Sequence, residues 1–211
     1  MHASSMANMQ KFVEKYISPD VNMTIKIADI GSQTIPGQGQ SYKTLFARSN
    51  MQYVGVDVVA GENVDIHLKN PYLWKEIKSE YFDVVISGQA LEHVEYVWVT
   101  ILEIARVLKG GGLLCIVVPS AGPKHSYPVD CYRYFDDGLR ALAKWARLEV
   151  LEVYTQNKDS TDPNKNITWQ DSVIVCRKPH RRLLSKIKFA VANKACRAIV
   201  RNLVKDKVVD A

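Results

Sequence analysis

The chain has no long apolar run. Segments such as Leu113 to Pro119 are far too short to cross a bilayer. The opening residues Met1 to Lys11 are polar and carry no apolar core of a secretory signal, so an intracellular protein is expected. Only four cysteines occur (Cys115, Cys131, Cys176 and Cys196), and no two stand at C-x-x-C spacing. That argues against a zinc knuckle or a disulfide framework and fits a reducing cytoplasm. No two histidines share the H-x-x-x-H spacing of a helical metal site, so no metal is expected. Internal repeats and low-complexity tracts are absent too. The G-x-G-x-x-G turn of hydride-transfer enzymes is missing after the first apolar strand, since Gly37-Gln38-Gly39 comes too late, and this ranks a dehydrogenase low.

What remains is an ordinary globular composition. The 211 residues are 47% hydrophobic and 24% charged, enough for one domain with an appendage and too apolar for wholesale disorder. The charge is unevenly placed. From Arg177 to Ala211 eleven Lys or Arg face two Asp, whereas the rest of the chain is mildly acidic, so the formal +6 belongs to the tail. We therefore divide the chain into a domain over 1–176, with an opening helix at 5–17, and a basic amphipathic helical tail over 177–211. In the tail Leu184, Ile187, Val191, Ala195, Ile199 and Leu203 recur at helical steps. Residues 181–204 either pack this stripe on the body or present it to an anionic membrane surface or polyanion. The second outcome would make the protein peripheral to the membrane.

Between those limits strand and helix patterns alternate. Strands are expected at Ile25–Ile30, Tyr53–Asp57, Val64–Ile66, Phe82–Ile86, Leu113–Val118, Leu148–Tyr154 and Ser172–Cys176. Helices are expected at Tyr42–Ala47, from Pro71 to about Lys78, at Val97–Leu108 and at Asp136–Trp145. The pattern predicts a Rossmann-like, doubly wound α/β fold with a mostly parallel sheet of six to seven strands. The last two strands are joined by the polar stretch Gln156 to Asn166 without a crossover helix, so the last strand should be antiparallel. The link from Asp57 to Val64 is too short for a parallel crossover, so the third strand should be short, displaced or irregularly paired.

Three segments place chemistry at the carboxyl ends of these strands, where ligands bind in open α/β sheets. Ile27-Ala28-Asp29-Ile30-Gly31-Ser32-Gln33 offers a carboxylate and then a glycine that lets a ligand approach the backbone. Asp57 closes the second strand, where an acid can accept two ribose hydroxyls. The third segment, Phe82-Asp83-Val84-Val85-Ile86-Ser87-Gly88-Gln89-Ala90-Leu91-Glu92-His93-Val94, runs from a buried strand into a polar turn.

Together with the Leu108-Lys109-Gly110-Gly111-Gly112 turn, these segments resemble the class I S-adenosylmethionine-dependent methyltransferases over about Ile25 to Cys176. The resemblance implies S-adenosylmethionine as cofactor. It implies that Asp29, Gly31 and Ser32 line its methionine part, that Asp57 binds its ribose, and that Asp65 and Leu68 lie near its adenine. Gln89, Ala90 and Leu91 would wall it after the fourth strand. The sequence departs from the family where a second glycine is usual: Gln33 stands there, with Gly37 or Gly39 left to supply the close approach.

The stretch from Pro119 to Phe135 is long, polar and aromatic, and it follows the fifth strand, as an acceptor loop should. A hydroxyl acceptor needs a base. His125 fits that role, with Asp130 orienting it or serving itself. Arg133 is a candidate for an anionic group on the acceptor, and Tyr127 for a stacking wall; alternatively Asp130 and Arg133 only pair to stiffen the loop. His93 is read as a cap or a cofactor-wall residue. The acceptor expected is a small molecule or glycan, a sugar hydroxyl above all. The alternatives are an RNA or protein methyltransferase that uses the basic tail, and a cofactor-binding protein without turnover.

Overall fold

The computed structural model describes residues 3–17, 23–34, 40–156, 170–180, 191, 193–196 and 198. Gly37, Gly39, most of the Gln156–Asn166 stretch and most of the tail stripe lie outside the described residues.

Seven strands form one sheet in the order β3-β2-β1-β4-β5-β7-β6. They are β1 (Ile25–Ile30), β2 (Met51–Asp57), β3 (Ile66–His67), β4 (Phe82–Gly88), β5 (Leu108–Pro119), β6 (Glu149–Thr155) and β7 (Asp171–Arg177). The strands β1 to β5 pair in parallel, while β7 runs antiparallel to both β5 and β6. This is the α/β methyltransferase architecture expected from the sequence, with the antiparallel strand at the closing end. The strand order reverses between β1 and β4, and that reversal opens a crevice beyond their carboxyl ends.

Alternation along the strands divides the core. Ala28, Val85, Leu114 and Ile116 point to the face covered by α2 (Val97–Val107) and α3 (Asp136–Trp145). Ile27, Val84, Ile86, Cys115 and Val117 point to the other face, under α1 (Ala3–Tyr16) and a 3₁₀ turn at Tyr42–Phe46. β4 and β5 are central strands covered on both faces, which explains their unbroken apolar runs.

Three local expectations need correction. Residues 71–78 form turns instead of a helix. Their backbone polar groups are satisfied from α2: Glu103 Oε2 accepts Trp74 N at 3.0 Å, and Arg106 donates to Trp74 O at 2.8 Å and Ile77 O at 2.9 Å. Glu103 and Arg106 form a buried pair at 2.9 Å, so this irregular segment needs no helical hydrogen bonds. Tyr42–Phe46 is 3₁₀, a single tight stretch that seats Tyr42 and Phe46 in the core. β5 begins directly after α2, and a register irregularity between Phe82 and Val84 absorbs the glycines, with Gly111 at φ +82. The third strand is short, as expected, but parallel: Val56 pairs with Ile66 and Asp57 with His67.

Candidate active site

The crevice is built from the ends of β1, β2 and β4. Gly31 has φ +80, and a Cβ there would lie 2.3 Å from Ala90 Cβ. Only glycine lets the turn after β1 meet the turn after β4 this closely. Asp29 is 3% exposed, and its Oδ2 accepts Tyr53 Oη at 2.6 Å. Asn63 in turn donates to Tyr53 Oη at 3.0 Å and to Ser32 O at 2.9 Å. Burial, against the pull of the Tyr53 hydrogen bond, pushes the Asp29 carboxyl up to about 7.

Asp57 is half-buried. Its Oδ2 accepts Gln33 N at 2.9 Å and its Oδ1 accepts Val59 N at 3.0 Å. Each oxygen keeps further acceptor capacity, which is what two hydroxyls of a ribose require. The same carboxylate fixes the loop after Gly31, where Gln33 replaces the usual glycine. Ser32 is buried, and its hydroxyl donates to Asn63 O at 2.9 Å.

Other residues expected on the wall are placed differently. Asp65 is exposed and uses Oδ2 to accept Gly55 N at 2.7 Å, which pins β2. Leu68 and Leu91 are core residues, at 3% and 1% exposure, so the wall after β4 is Ala90 with the backbone around it. Gln89 adopts φ +55, and its Nε2 turns towards Asp171 Oδ1 at 3.0 Å and Ser5 Oγ at 3.4 Å. This polar layer, which Asn8 joins through Asp171 at 3.2 Å, sits beneath α1 and was not anticipated from the sequence.

On the acceptor side the loop is tied to the turn after β4. Glu92 O accepts Cys131 N at 2.7 Å and Tyr132 N at 3.3 Å. Tyr132 Oη donates to Glu95 O at 2.7 Å and Tyr134 Oη to Leu91 O at 2.8 Å. Asp130 and Arg133 form a bidentate pair at 2.6 and 2.8 Å. Arg133 also donates to Pro123 O and Tyr132 O, both at 2.8 Å. Its two terminal nitrogens hydrogen-bond within the loop, as a stiffening pair would. The hydrogen bonds from Arg133 hold the Asp130 carboxyl well below the usual carboxylate range. Asp130 Oδ2 accepts His125 N at 2.7 Å and lies 3.5 Å from His125 Nδ1, so Asp130 holds the backbone at His125 and stands beside its ring. Tyr127 stands exposed beyond a cis Tyr127–Pro128 bond, its ring 6.2 Å from that of His93.

Two residues join this side without having been assigned to it. The rings of His93 and His125 meet edge-on at 4.9 Å. Glu92, with its side chain 0% exposed, directs Oε1 to 3.7 Å from His93 Nε2. Burial pushes the Glu92 carboxyl up to about 8 and lowers the His93 imidazole, so the two face each other as neutral groups at neutral pH. The sequence signal for Glu92 was an acid set between Leu91 and an apolar helix.

The fold and this crevice resemble those of the class I S-adenosylmethionine-dependent methyltransferases. Residues 29–116 match the family model described as a methyltransferase domain, and they run from the end of β1 through most of β5. No curated protein matches the chain significantly. Solved structures share the fold at low identity. The [4+2]-cyclase SpnF is 15% identical with a TM-score of 0.61, covering 82% of each chain. The Burkholderia thailandensis 1,6-didemethyltoxoflavin-N1-methyltransferase, solved with S-adenosylhomocysteine, is 15% identical with a TM-score of 0.59, covering 84% of this chain and 79% of that one. The Haemonchus contortus phosphoethanolamine N-methyltransferase 2, solved with S-adenosyl-L-methionine, is 14% identical with a TM-score of 0.55, covering 82% and 53%. The residues at the crevice suit S-adenosylmethionine: a close approach at Gly31, a buried acid at Asp29 and a half-buried acid at Asp57. Among the described residues no helix is long and apolar enough to cross a membrane.

Proposed function

We propose that this methyltransferase acts on a hydroxyl of a small molecule or glycan, a sugar above all, in the cytoplasm. The observation that carries this reading is the position of His125. It is held by Asp130 beside His93 and Glu92, on a loop hydrogen-bonded to the turn that supplies the cofactor wall. Bound S-adenosylmethionine supplies an electrophilic methyl group. A hydroxyl must give up its proton as it attacks, whereas a neutral amine attacks with its lone pair, so a base poised on the acceptor side favours oxygen. In this reading Asp29, Gly31 and Ser32 hold the methionine part, Asp57 the ribose and Ala90 the near wall. His125 takes the proton, Asp130 orients it, Arg133 locks Asp130, and Tyr127 offers an aromatic face to a sugar ring.

The fold alone does not choose the chemistry, since a cyclase shares it. The test is methyl transfer from labelled cofactor to sugar, lipid-linked glycan and RNA fractions, with wild type and His125→Ala. Label in the glycan or sugar fraction, with turnover lowered about 10²–10⁴-fold in the variant and cofactor affinity retained, is the expected result. Label confined to RNA would move the reading to a nucleic-acid enzyme that uses its basic tail.

A further inference from the structure

We propose that Glu92, His93 and His125 form a binding site for one divalent cation of the zinc type. Each offers a ligand atom, and these atoms lie within 4.8 Å of one another. Ligands bonded to one such ion at about 2.0–2.2 Å stand roughly 3–4 Å apart, so the 3.7 Å between Glu92 Oε1 and His93 Nε2 already fits and small rotations close the rest.

Two independent observations point to a ligand here. Both carboxylate oxygens of Glu92 are buried, and neither accepts a hydrogen bond from another of the described residues. A polar group left in that state is costly, and a cation would supply what the protein does not. In addition His93 Nδ1 lies 2.6 Å from Val129 O. A carbonyl only accepts, so the proton sits on Nδ1 and the lone pair of Nε2 is turned towards Glu92. This outer contact is what metal-bound imidazoles ordinarily have. Around the His125 ring, Nδ1 lies 3.4 Å from Pro123 O and 3.5 Å from Asp130 Oδ2. Two imidazole nitrogens and one carboxylate oxygen suit zinc and its first-row neighbours; magnesium and calcium prefer all-oxygen sets. The missing H-x-x-x-H spacing does not forbid such a site, because the two histidines come from separate segments that the Glu92 backbone binds together.

A ligated His125 has no lone pair for a proton, so the ion would inhibit transfer to a hydroxyl. That consequence alone rests on the hydroxyl-acceptor reading.

The test is titration of the full-length, metal-stripped protein with Co²⁺, read by its visible d–d absorption and reversed by Zn²⁺. Binding of one ion is expected, weakened at least about tenfold in Glu92→Gln and in His93→Gln. Unchanged circular dichroism and cofactor affinity would show that both variants are folded. Absence of binding, or equal binding by wild type and both variants, overturns the site. Methyl transfer measured with Zn²⁺ separates the two readings. Co²⁺ binding with transfer indifferent to Zn²⁺ would remove His125 as the base and leave the ion site standing. No ion binding with transfer intact would do the reverse.

Discussion

On the proposed placement of the cofactor, Asp29 is expected to tie its affinity to pH. Its carboxyl is buried, accepts one hydrogen bond from Tyr53, and is raised from 3.8 to about 7 chiefly by burial, with the neighbouring Asp57 charge adding to the rise. The methionine part of the cofactor carries an ammonium group, and a cation placed beside a carboxyl favours its ionised form. Binding at acid pH must therefore expel a proton from Asp29. The sign follows: affinity is full above about 7 and falls as pH drops below that value. The largest slope is tenfold per pH unit, so affinity at pH 5 should lie up to about 100-fold below that at pH 7. Isothermal titration calorimetry at constant ionic strength, in buffers of different ionisation enthalpy, measures both the affinity and the proton released. Asp29→Asn should bind weakly at every pH with no slope. In the cofactor-free protein the linkage acts on folding: a raised carboxyl contributes stability that is full below about 4 and is lost as pH rises through 7. A pH-independent affinity in the wild type, or an equal slope in the Asn variant, would refute the placement of Asp29.

Further outcomes are expected at other positions. Asp57→Ala should lower cofactor affinity about tenfold or more, because hydrogen bonds to a charged group contribute about 1.5–3 kcal/mol; unchanged calorimetric binding would remove Asp57 from the ribose. Gly31→Ala should cost at least about 1–2 kcal/mol from its backbone conformation alone, lowering the melting temperature by roughly 2–8 °C and weakening cofactor binding as Ala90 is pushed away. For the tail we expect packing on the body: Asn193 is buried with Nδ2 3.4 Å from Leu102 O, and Cys196 rests against the α2 core. A chain ending at His180 should melt lower than the full chain. Salt-sensitive binding of the full chain to anionic vesicles, with no change in melting, would instead make residues 181–204 a membrane arm.

The parallel core was legible because β4 and β5 are buried on both faces, so their residues carry an unbroken apolar signal. That Asp29, Gly31 and Asp57 stand at one crevice was legible because strand ends in this topology converge there. Residues 71–78 were misread because Pro71 suits the first turn of a helix and an irregular turn alike. Only the distant pair Glu103 and Arg106 shows why turns suffice there. Leu91 looked like cofactor wall because motif position does not say which way a side chain turns after a 3₁₀ turn. Asp130 and Arg133 could be read as either machinery or brace, since spacing of three residues fits both. The bidentate distances show the pair formed in the loop.

Glu92 explains why the acceptor side was harder to read than the cofactor side. Its backbone carbonyl anchors the loop that carries His125, and its side chain reaches His93, so one residue joins the turn after β4 to the loop after β5. Sequence spacing cannot show such a joint, because the partners lie nearly forty residues along the chain, Cys131 N meeting Glu92 O at 2.7 Å. The joint has a functional consequence. Ala90 and His125 are braced through the same short turn, so under the proposed function the spacing of methyl donor and acceptor would be set within one corner. A substitution that loosens this corner should lower turnover before it lowers cofactor affinity, because Asp29 and Asp57 are fixed by other elements, Tyr53 and the loop after Gly31.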